Sequence, residues 1–312
     1  MPASTPRLRL LVLGSAAGGG FPQWNCRCPV CALAWEGDPR VRRRTQTSVA
    51  VSVDGERWAL VNCAPEILHQ IQAVPALHPR NGRRHSPVAS VLLTNADIDH
   101  IAGLLSLRES QPFRLHATAA IHGVLAANSA FDVLAPEHVE RRTVGFGDPF
   151  EVVAGITAEI FPVPGKIALY LERGEIEASG AVATTVEGEQ TVGVELSDGA
   201  ARVLFIPGCA VMTEALRARL EGADAVLFDG TVWRDDEMVA AGVGTKTGAR
   251  MGHMAMSGPE GSLAALSQIK VKRKIFVHIN NTNPALVEGS PERLAVEAAG
   301  WEVAEDGMEI TP

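Results

Sequence analysis

An aspartate and a histidine stand side by side at Asp99-His100, within the stretch from Thr94 to Leu104. A second polar cluster, His278-Ile279-Asn280-Asn281-Thr282-Asn283-Pro284, follows a late apolar run. If the two segments meet, Asp99, His100 and His278 supply one carboxylate and two imidazoles. On an octahedral ion these leave about three positions open, the arrangement non-haem iron(II) uses for oxygen chemistry. A hydrolytic zinc site can use the same atoms. Asp97 and Asp99 both precede a helical pattern, and one aspartate suffices for its N-cap, which leaves Asp99-His100 for other work.

A third chemistry-bearing group is Cys26-Arg27-Cys28-Pro29-Val30-Cys31, which holds three of the chain's 5 cysteines. In a reducing compartment such clustering indicates a metal site rather than a disulfide framework. Three thiolates this close can converge on one tetrahedral zinc and leave one position for a ligand from elsewhere. Cys63 and Cys209 stand alone at apolar strand ends and are expected to be small core residues.

The elements that must position these groups alternate between strand and helix. Val88 to Leu93 is a short β-branched run with the pattern of a strand buried on both faces, and Ile101, Leu104, Leu105 and Leu107 follow at helical spacing. Asp99-His100 therefore sits at a strand's C-terminal end, where open α/β sheets gather their chemistry. Leu8 to Leu13 is the first strand, followed by the glycine-rich Gly14 to Gly20. That loop lacks the ending of a phosphate cradle and is expected to let backbone pass close to another loop or to the site. Thr47 to Val53 and Trp58 to Val61 flank an Asp54-Gly55 turn and read as a hairpin, with a short helix after Pro65. Further strands are expected at Arg114 to His116, Ile156 to Leu171, Arg202 to Ile206, Ala225 to Phe228 (closed by Asp229-Gly230-Thr231) and Ile275 to His278. Helices are expected at Ala119 to Ala127, Thr213 to Leu220 and Pro259 to Ile269. Glu172 to Gln190 is polar and expected to be a loop or a small excursion, not a domain boundary. His116 and His122 are expected to be ordinary surface or capping residues.

Composition narrows the class. With 312 residues, 46% of them hydrophobic, the chain can build a full core. It is expected to form a single α/β domain over residues 1–312. A net charge of −8 argues against a general nucleic-acid footprint. The basic run Arg40 to Arg44 reads as a solvated or anion-pairing loop. No apolar run reaches the roughly 18 residues of a membrane span, and the first residues lack a leader pattern, so the expected location is cytoplasmic, without membrane partners.

Taken in order, the glycine-rich loop, Cys-x-Cys-x-x-Cys, Arg-Thr-Gln-Thr-Ser, Asp-His-x-x-Gly-Leu and the late His-Ile-Asn-Asn resemble the metallo-β-lactamase superfamily, in its branch with a structural zinc. Gly14 to Cys31, Ile98 to Glu109, Gly242 to His253 and His278 to Pro284 further resemble the members that serve pyrroloquinoline quinone (PQQ) biosynthesis. The resemblance runs from Leu10 to Ile310 and is indistinct only over Lys166 to Val192. It implies an αββα sandwich, two mixed sheets packed face to face with helices outside.

Departures from the superfamily pattern carry information too. Members typically have His-x-His-x-Asp-His; here the first two histidine positions are Asn95 and Asp97. The counterpart of a third histidine after Pro-Gly is Lys166, and Cys209 replaces a bridging aspartate. The resemblance thus implies a first metal site that has lost nearly all its ligands and a single ion on Asp99, His100 and His278. It further implies an iron(II)- and O2-dependent hydroxylase acting on the tyrosine-derived ring of a crosslinked Glu-Tyr precursor, in company with other PQQ-pathway proteins. A carrier that helps move PQQ or its precursor out of the cytoplasm, or a phosphodiesterase-like hydrolase, are the alternatives. The branch's fourth zinc ligand falls at Asn281, beside Cys26, Cys28 and Cys31. His253 resembles an acid-base histidine of the superfamily's nucleases, and Asp97 is a second carboxylate or base. The implied precursor is a small polycarboxylate, for which Arg44, Arg108, Lys246 and Arg250 are the cations to consider.

Overall fold

The fold is built from strands that alternate which face each residue presents. In the computed structural model, which describes residues 7–179 and 182–312, fourteen strands form two seven-stranded sheets. The first sheet takes β1 (Arg9–Gly14), β2 (Ser48–Ser52), β3 (Trp58–Val61), β4 (Val88–Leu92), β5 (Phe113–Ala117) and β6 (Val139–Thr143). The second takes β7 (Phe150–Val153), β8 (Ile156–Pro162), β9 (Val192–Ser197), β10 (Arg202–Ile206), β11 (Ala225–Asp229), β12 (Arg273–Val277) and β13 (Trp301–Val303). Then β14 (Glu309–Ile310) crosses back to pair antiparallel with β1 and closes the edge of the first sheet. Both sheets are mixed: β3 to β6 run parallel to one another, as do β10 to β13, and the remaining pairs are antiparallel.

Alternation explains the layers. Val203 and Phe205 of β10 enter the core between the sheets with Leu10, Val49 and Val61, whereas Leu204 and Ile206 face the outer helices with Leu216 and Val296. On the other side Leu11, Leu60 and Val91 pack under Ile121 and Leu125 of the helix Ala119–Ala126. Burial on both faces is why these strands read as unbroken apolar runs. Truncating the fully buried Phe205 to alanine would cost about 3–5 kcal/mol. The αββα sandwich expected from the sequence is the observed architecture.

Several expected elements differ. The strand begun at Ile156 stops at Pro162, because Pro162 and Pro164 cannot donate to a ladder. Pro259 to Ile269 keeps one helical turn, Ser262–Ala265. Gly261 packs so closely on the preceding loop that a Cβ there would lie 2.2 Å from the Ser257 carbonyl, and Ser267 Oγ takes the Ala264 carbonyl at 2.8 Å. After Asp99-His100 the helix is one α-turn, Ile98–Ile101, continued as a 3-10 turn over Ala102–Leu107. Gly103 permits that tight course: a Cβ would meet the Ala64 carbonyl at 2.1 Å. Glu172–Ser179 is a helix rather than loop, anchored by ion pairs described below. His116 is buried rather than at the surface, stacked on Phe150 at 4.8 Å, while His122 bonds the Arg142 carbonyl.

Candidate metal centre

The parallel strands deliver their C-terminal ends to one edge of the sandwich. Asp99 and His100 follow β4, Cys209 follows β10, Asp229 ends β11 and His278 follows β12. His278 has φ 59°, a left-handed conformation that costs a residue with a Cβ roughly 1–3 kcal/mol. The turn is held by Ile279 N–H on the Ser15 carbonyl (3.0 Å), Ala17 N–H on the Ile279 carbonyl (2.9 Å) and Asn280 N–H on the Thr231 carbonyl (3.0 Å). Glycine-rich backbone therefore runs beside the site, as expected; a Cβ on Gly18 would touch Asp99 at 3.6 Å.

Asp99 Oδ2 lies 3.0 Å from His278 Nε2 and 3.7 Å from His100 Nε2. Each imidazole is turned by a second partner. His100 Nδ1 bonds Asn95 Oδ1 at 2.6 Å and His278 Nδ1 bonds Thr231 Oγ1 at 2.8 Å. A donated Nδ1 proton leaves each Nε2 lone pair directed at the same point, the usual way a protein orients metal-binding histidines. His100 Nε2 is buried with no hydrogen-bond partner. Electrostatics agree. Burial would raise the Asp99 pKa, but His100 and His278 outweigh it and hold the carboxyl below its usual range. Burial disfavours the His278 cation, yet the hydrogen bond and charge of Asp99 raise its pKa above the usual value. Burial lowers the His100 pKa below its usual value. Asp99 Oδ2, His278 Nε2 and His100 Nε2 thus face one space, where a cation fits.

A second group, Asp229, His253 and His278, shares the other edge of His278. Its centre is filled by the Thr231 hydroxyl, which donates to Asp229 Oδ1 at 2.6 Å and lies 2.8 Å from His278 Nδ1 and 3.1 Å from His253 Nδ1. Asp229 Oδ2 accepts from His253 Nδ1 at 2.7 Å and from the Cys209 amide at 2.8 Å. Burial alone would raise the Asp229 pKa, but His253 and His278 outweigh it and hold the carboxyl below its usual range. The arrangement fixes the orientation of both rings. Asp229, Thr231 and the orienting role of Asn95 were not singled out from the sequence. The signal available was a carboxylate and hydroxyl at a buried strand end, Asp229-Gly230-Thr231.

The three cysteines also meet. Asn281 Nδ2 lies 3.2, 3.8 and 3.3 Å from the sulfurs of Cys26, Cys28 and Cys31. A half-turn of the amide brings Oδ1 to the same place. The hydrogen bond between the Cys28 and Cys31 sulfurs pushes the Cys28 pKa up and draws the Cys31 pKa down, as expected of thiols crowded to share one charge. Cys63 and Cys209 are fully buried, and burial raises both thiols.

A cavity of about 490 Å³ opens over Asp99, His100 and His278 and is also lined by Asp97, Lys166, Tyr170, Lys246 and His253. Asp97 Oδ1 accepts the Leu169 amide at 3.0 Å and lies outside the three-residue metal group. Two of the expected substrate cations are elsewhere. Arg44 is buried beneath the glycine-rich loop, bonded to the carbonyls of Arg42 and Ala304 and 3.7 Å from Glu305. Arg108 is exposed beside Glu109, with its guanidinium on the Leu105 carbonyl. Lys246 lines the cavity, and Arg250 joins it in gripping Glu172.

Residues 57–279 match the β-lactamase superfamily domain. The coenzyme PQQ synthesis protein B of Methylobacterium nodulans is 59% identical over 97% of this chain and 99% of its own length. This chain belongs to the coenzyme PQQ synthesis protein B family. Membership assigns it to PQQ biosynthesis. Among solved structures, the Zn2+-bound family member from Methylobacterium extorquens superposes with a TM-score of 0.94 at 55% identity, over 97% of this chain and 100% of that one. A diphosphatase of the PhnP family shares the fold, with a TM-score of 0.68 at 20% identity over 97% of this chain and 96% of that one. Among the described residues of this family member, no helix is long and apolar enough to cross a membrane.

Proposed function

We propose that the chain is a mononuclear iron(II)- and O2-dependent hydroxylase of PQQ biosynthesis, acting on the tyrosine-derived ring of a crosslinked Glu-Tyr precursor. The observation that carries this reading is the meeting of Asp99, His100 and His278 beneath a cavity. A two-metal hydrolase clamps both attacking and leaving oxygens. Here Asn95 orients His100 instead of binding an ion, and Cys209 offers its amide to Asp229. Iron(II) held by the three residues would supply dioxygen activation. The chain's own groups place the ring, exclude water and handle protons: Asp229 fixes His253 through Nδ1, so Nε2 can take a proton from a ring hydroxyl or return one. In the same reading Cys26, Cys28, Cys31 and Asn281 hold a structural zinc, the chain works as one domain, and Asp97 is a carboxylate beside the reacting ring.

Hydroxylation inserts one oxygen atom into a ring C–H bond and reduces the other to water, so two electrons and two protons enter. The test is anaerobic protein loaded with iron(II), given precursor, ascorbate and then dioxygen. Oxygen uptake with a product heavier by one oxygen atom is expected. Turnover of a chromogenic phosphodiester by the zinc form would identify a hydrolase, and binding of precursor with neither reaction would identify a carrier.

A further inference from the structure

His278 and Asn281 lie on one turn, three residues apart, yet they serve different groups. His278 Nε2 faces Asp99 and His100, whereas the Asn281 amide faces the sulfurs of Cys26, Cys28 and Cys31. The Asn281 carbonyl lies against the same cluster, 3.6 Å from Cys28 Sγ and 3.8 Å from Cys31 Sγ. The cysteine loop is therefore packed on the backbone of the turn as well as on a side chain.

The turn itself is stiff. His278 to Asn283 are all buried, and three of them grip Gly230-Thr231. His278 Nδ1 lies 2.8 Å from the Thr231 hydroxyl, the Asn280 N–H donates to the Thr231 carbonyl at 3.0 Å, and Asn283 Nδ2 donates to the Gly230 carbonyl at 2.9 Å. Inside the turn the Asn283 N–H reaches the Asn280 carbonyl at 3.0 Å, and Asn280 Nδ2 reaches the Thr282 hydroxyl at 2.6 Å. A shift of any one of these residues leaves a buried donor or acceptor unpaired, so a displacement at Asn281 is shared by the whole turn. His278, at φ 59°, is the residue of the turn with strain to release.

We infer that Asn281 is a positioning residue for His278, and that a metal ion on Cys26, Cys28 and Cys31 raises metal affinity at Asp99, His100 and His278 by fixing the turn between them. With the cysteine loop filled, Asn281 pins the outer side of the turn and keeps the His278 ring where Nε2 meets the Asp99 carboxylate. With the loop empty that peg is gone, and the contacts to Ser15, Gly230, Thr231 and Glu237 oppose the strain at His278 without it. Coupling between two sites is reciprocal and typically roughly 5–150-fold.

The inference rests on both groups of the proposed function holding metal, but not on iron or on hydroxylation. Cadmium(II) is the probe for the cysteine loop, because its thiolate charge-transfer absorption shows that it sits on sulfur. Manganese(II), which prefers oxygen ligands to thiolates, titrates the Asp99 group through the loss of its free-ion resonance. Protein carrying one equivalent of cadmium is expected to bind manganese about tenfold more tightly than metal-free protein, and manganese to strengthen cadmium binding by the same factor. Asn281→Ala, with cadmium seen on its thiolates and its fold checked by circular dichroism, is expected to bind manganese at the metal-free level. Asn281→Asp, which returns an oxygen to that place, is expected to recover the gain. Equal manganese affinity with and without cadmium would overturn the inference. A gain that persists in Asn281→Ala would overturn it too, because the loop would then act by another route. Cadmium without thiolate absorption, or no manganese binding at all, would overturn the metal reading and this inference with it. Absent hydroxylation with the coupling intact would overturn the functional reading alone.

Discussion

The Thr231 hydroxyl sits 2.8 Å from His278 Nδ1, on the edge of the ring opposite Asp99. Because that hydroxyl gives its own proton to Asp229, it accepts from His278 and sets which ring nitrogen is free. Thr231→Val should therefore weaken metal binding at the Asp99 group about 10–100-fold, with Thr231→Ser restoring it. Chelator competition on the folded variants measures this, and equal affinities would remove Thr231 from any role in orienting the ring.

On the proposed single-ion reading, Asp99→Ala, His100→Ala and His278→Ala each delete one of three ligands. Metal analysis is expected to show the site at Asp99 lost in each and the cysteine site retained. Full occupancy by His100→Ala and His278→Ala would sink the single-ion assignment. Asp97→Asn should keep the ion and lower turnover, since Asp97 lies beside the group rather than in it.

Changing Cys26, Cys28 and Cys31 together to serine should abolish zinc at that loop and lower the melting temperature by several degrees or more, since metal binding to a preformed loop contributes directly to folding. Asn281→Ala should weaken zinc binding without abolishing it. Unchanged zinc content and unchanged melting in the triple variant would reject a metal there.

Glu237 gives a pH-dependent contribution to stability. It is buried, which raises its pKa to about 7 against the partial relief of the Thr282 hydroxyl at 2.6 Å and the Trp233 amide at 2.6 Å. A folded-state value above the unfolded one means the stabilisation is fully present below about 4.5 and is lost as pH rises through about 7. The loss amounts to about 3 kcal/mol at most. Glu237→Gln should remove this slope, so denaturant titrations at pH 5 and pH 8 should differ less for the variant than for the parent. Equal slopes would place the ionisation of Glu237 near its ordinary value.

Much of the architecture was legible in the chain. Val88 to Leu92, Arg202 to Ile206 and Ala225 to Phe228 are apolar on every residue but Ser90 and Arg202 because both faces of their sheets are covered, and the same pattern placed Asp99 at a strand end. The spacing of Cys26, Cys28 and Cys31 brought three sulfurs together within one short loop, where local geometry suffices. What adjacency could not supply was direction. Asn95 looked like a lost ligand, and only the packed loop shows it turning His100; Arg44 looked like a substrate cation, and the crossing of β14 past β1 leads the chain that carries Ala304 and Glu305 to cover it. Glu172–Ser179 carries no apolar periodicity, and its first residue is held by charges from residues 166, 246 and 250, far apart in the chain. Periodicity and spacing are properties of neighbours in sequence, and they fixed which groups each strand end carries. Hydrogen-bond direction, burial and the meeting of remote charges exist only once the two sheets have packed, and these decide which nitrogen faces the metal position and which cations face the cavity.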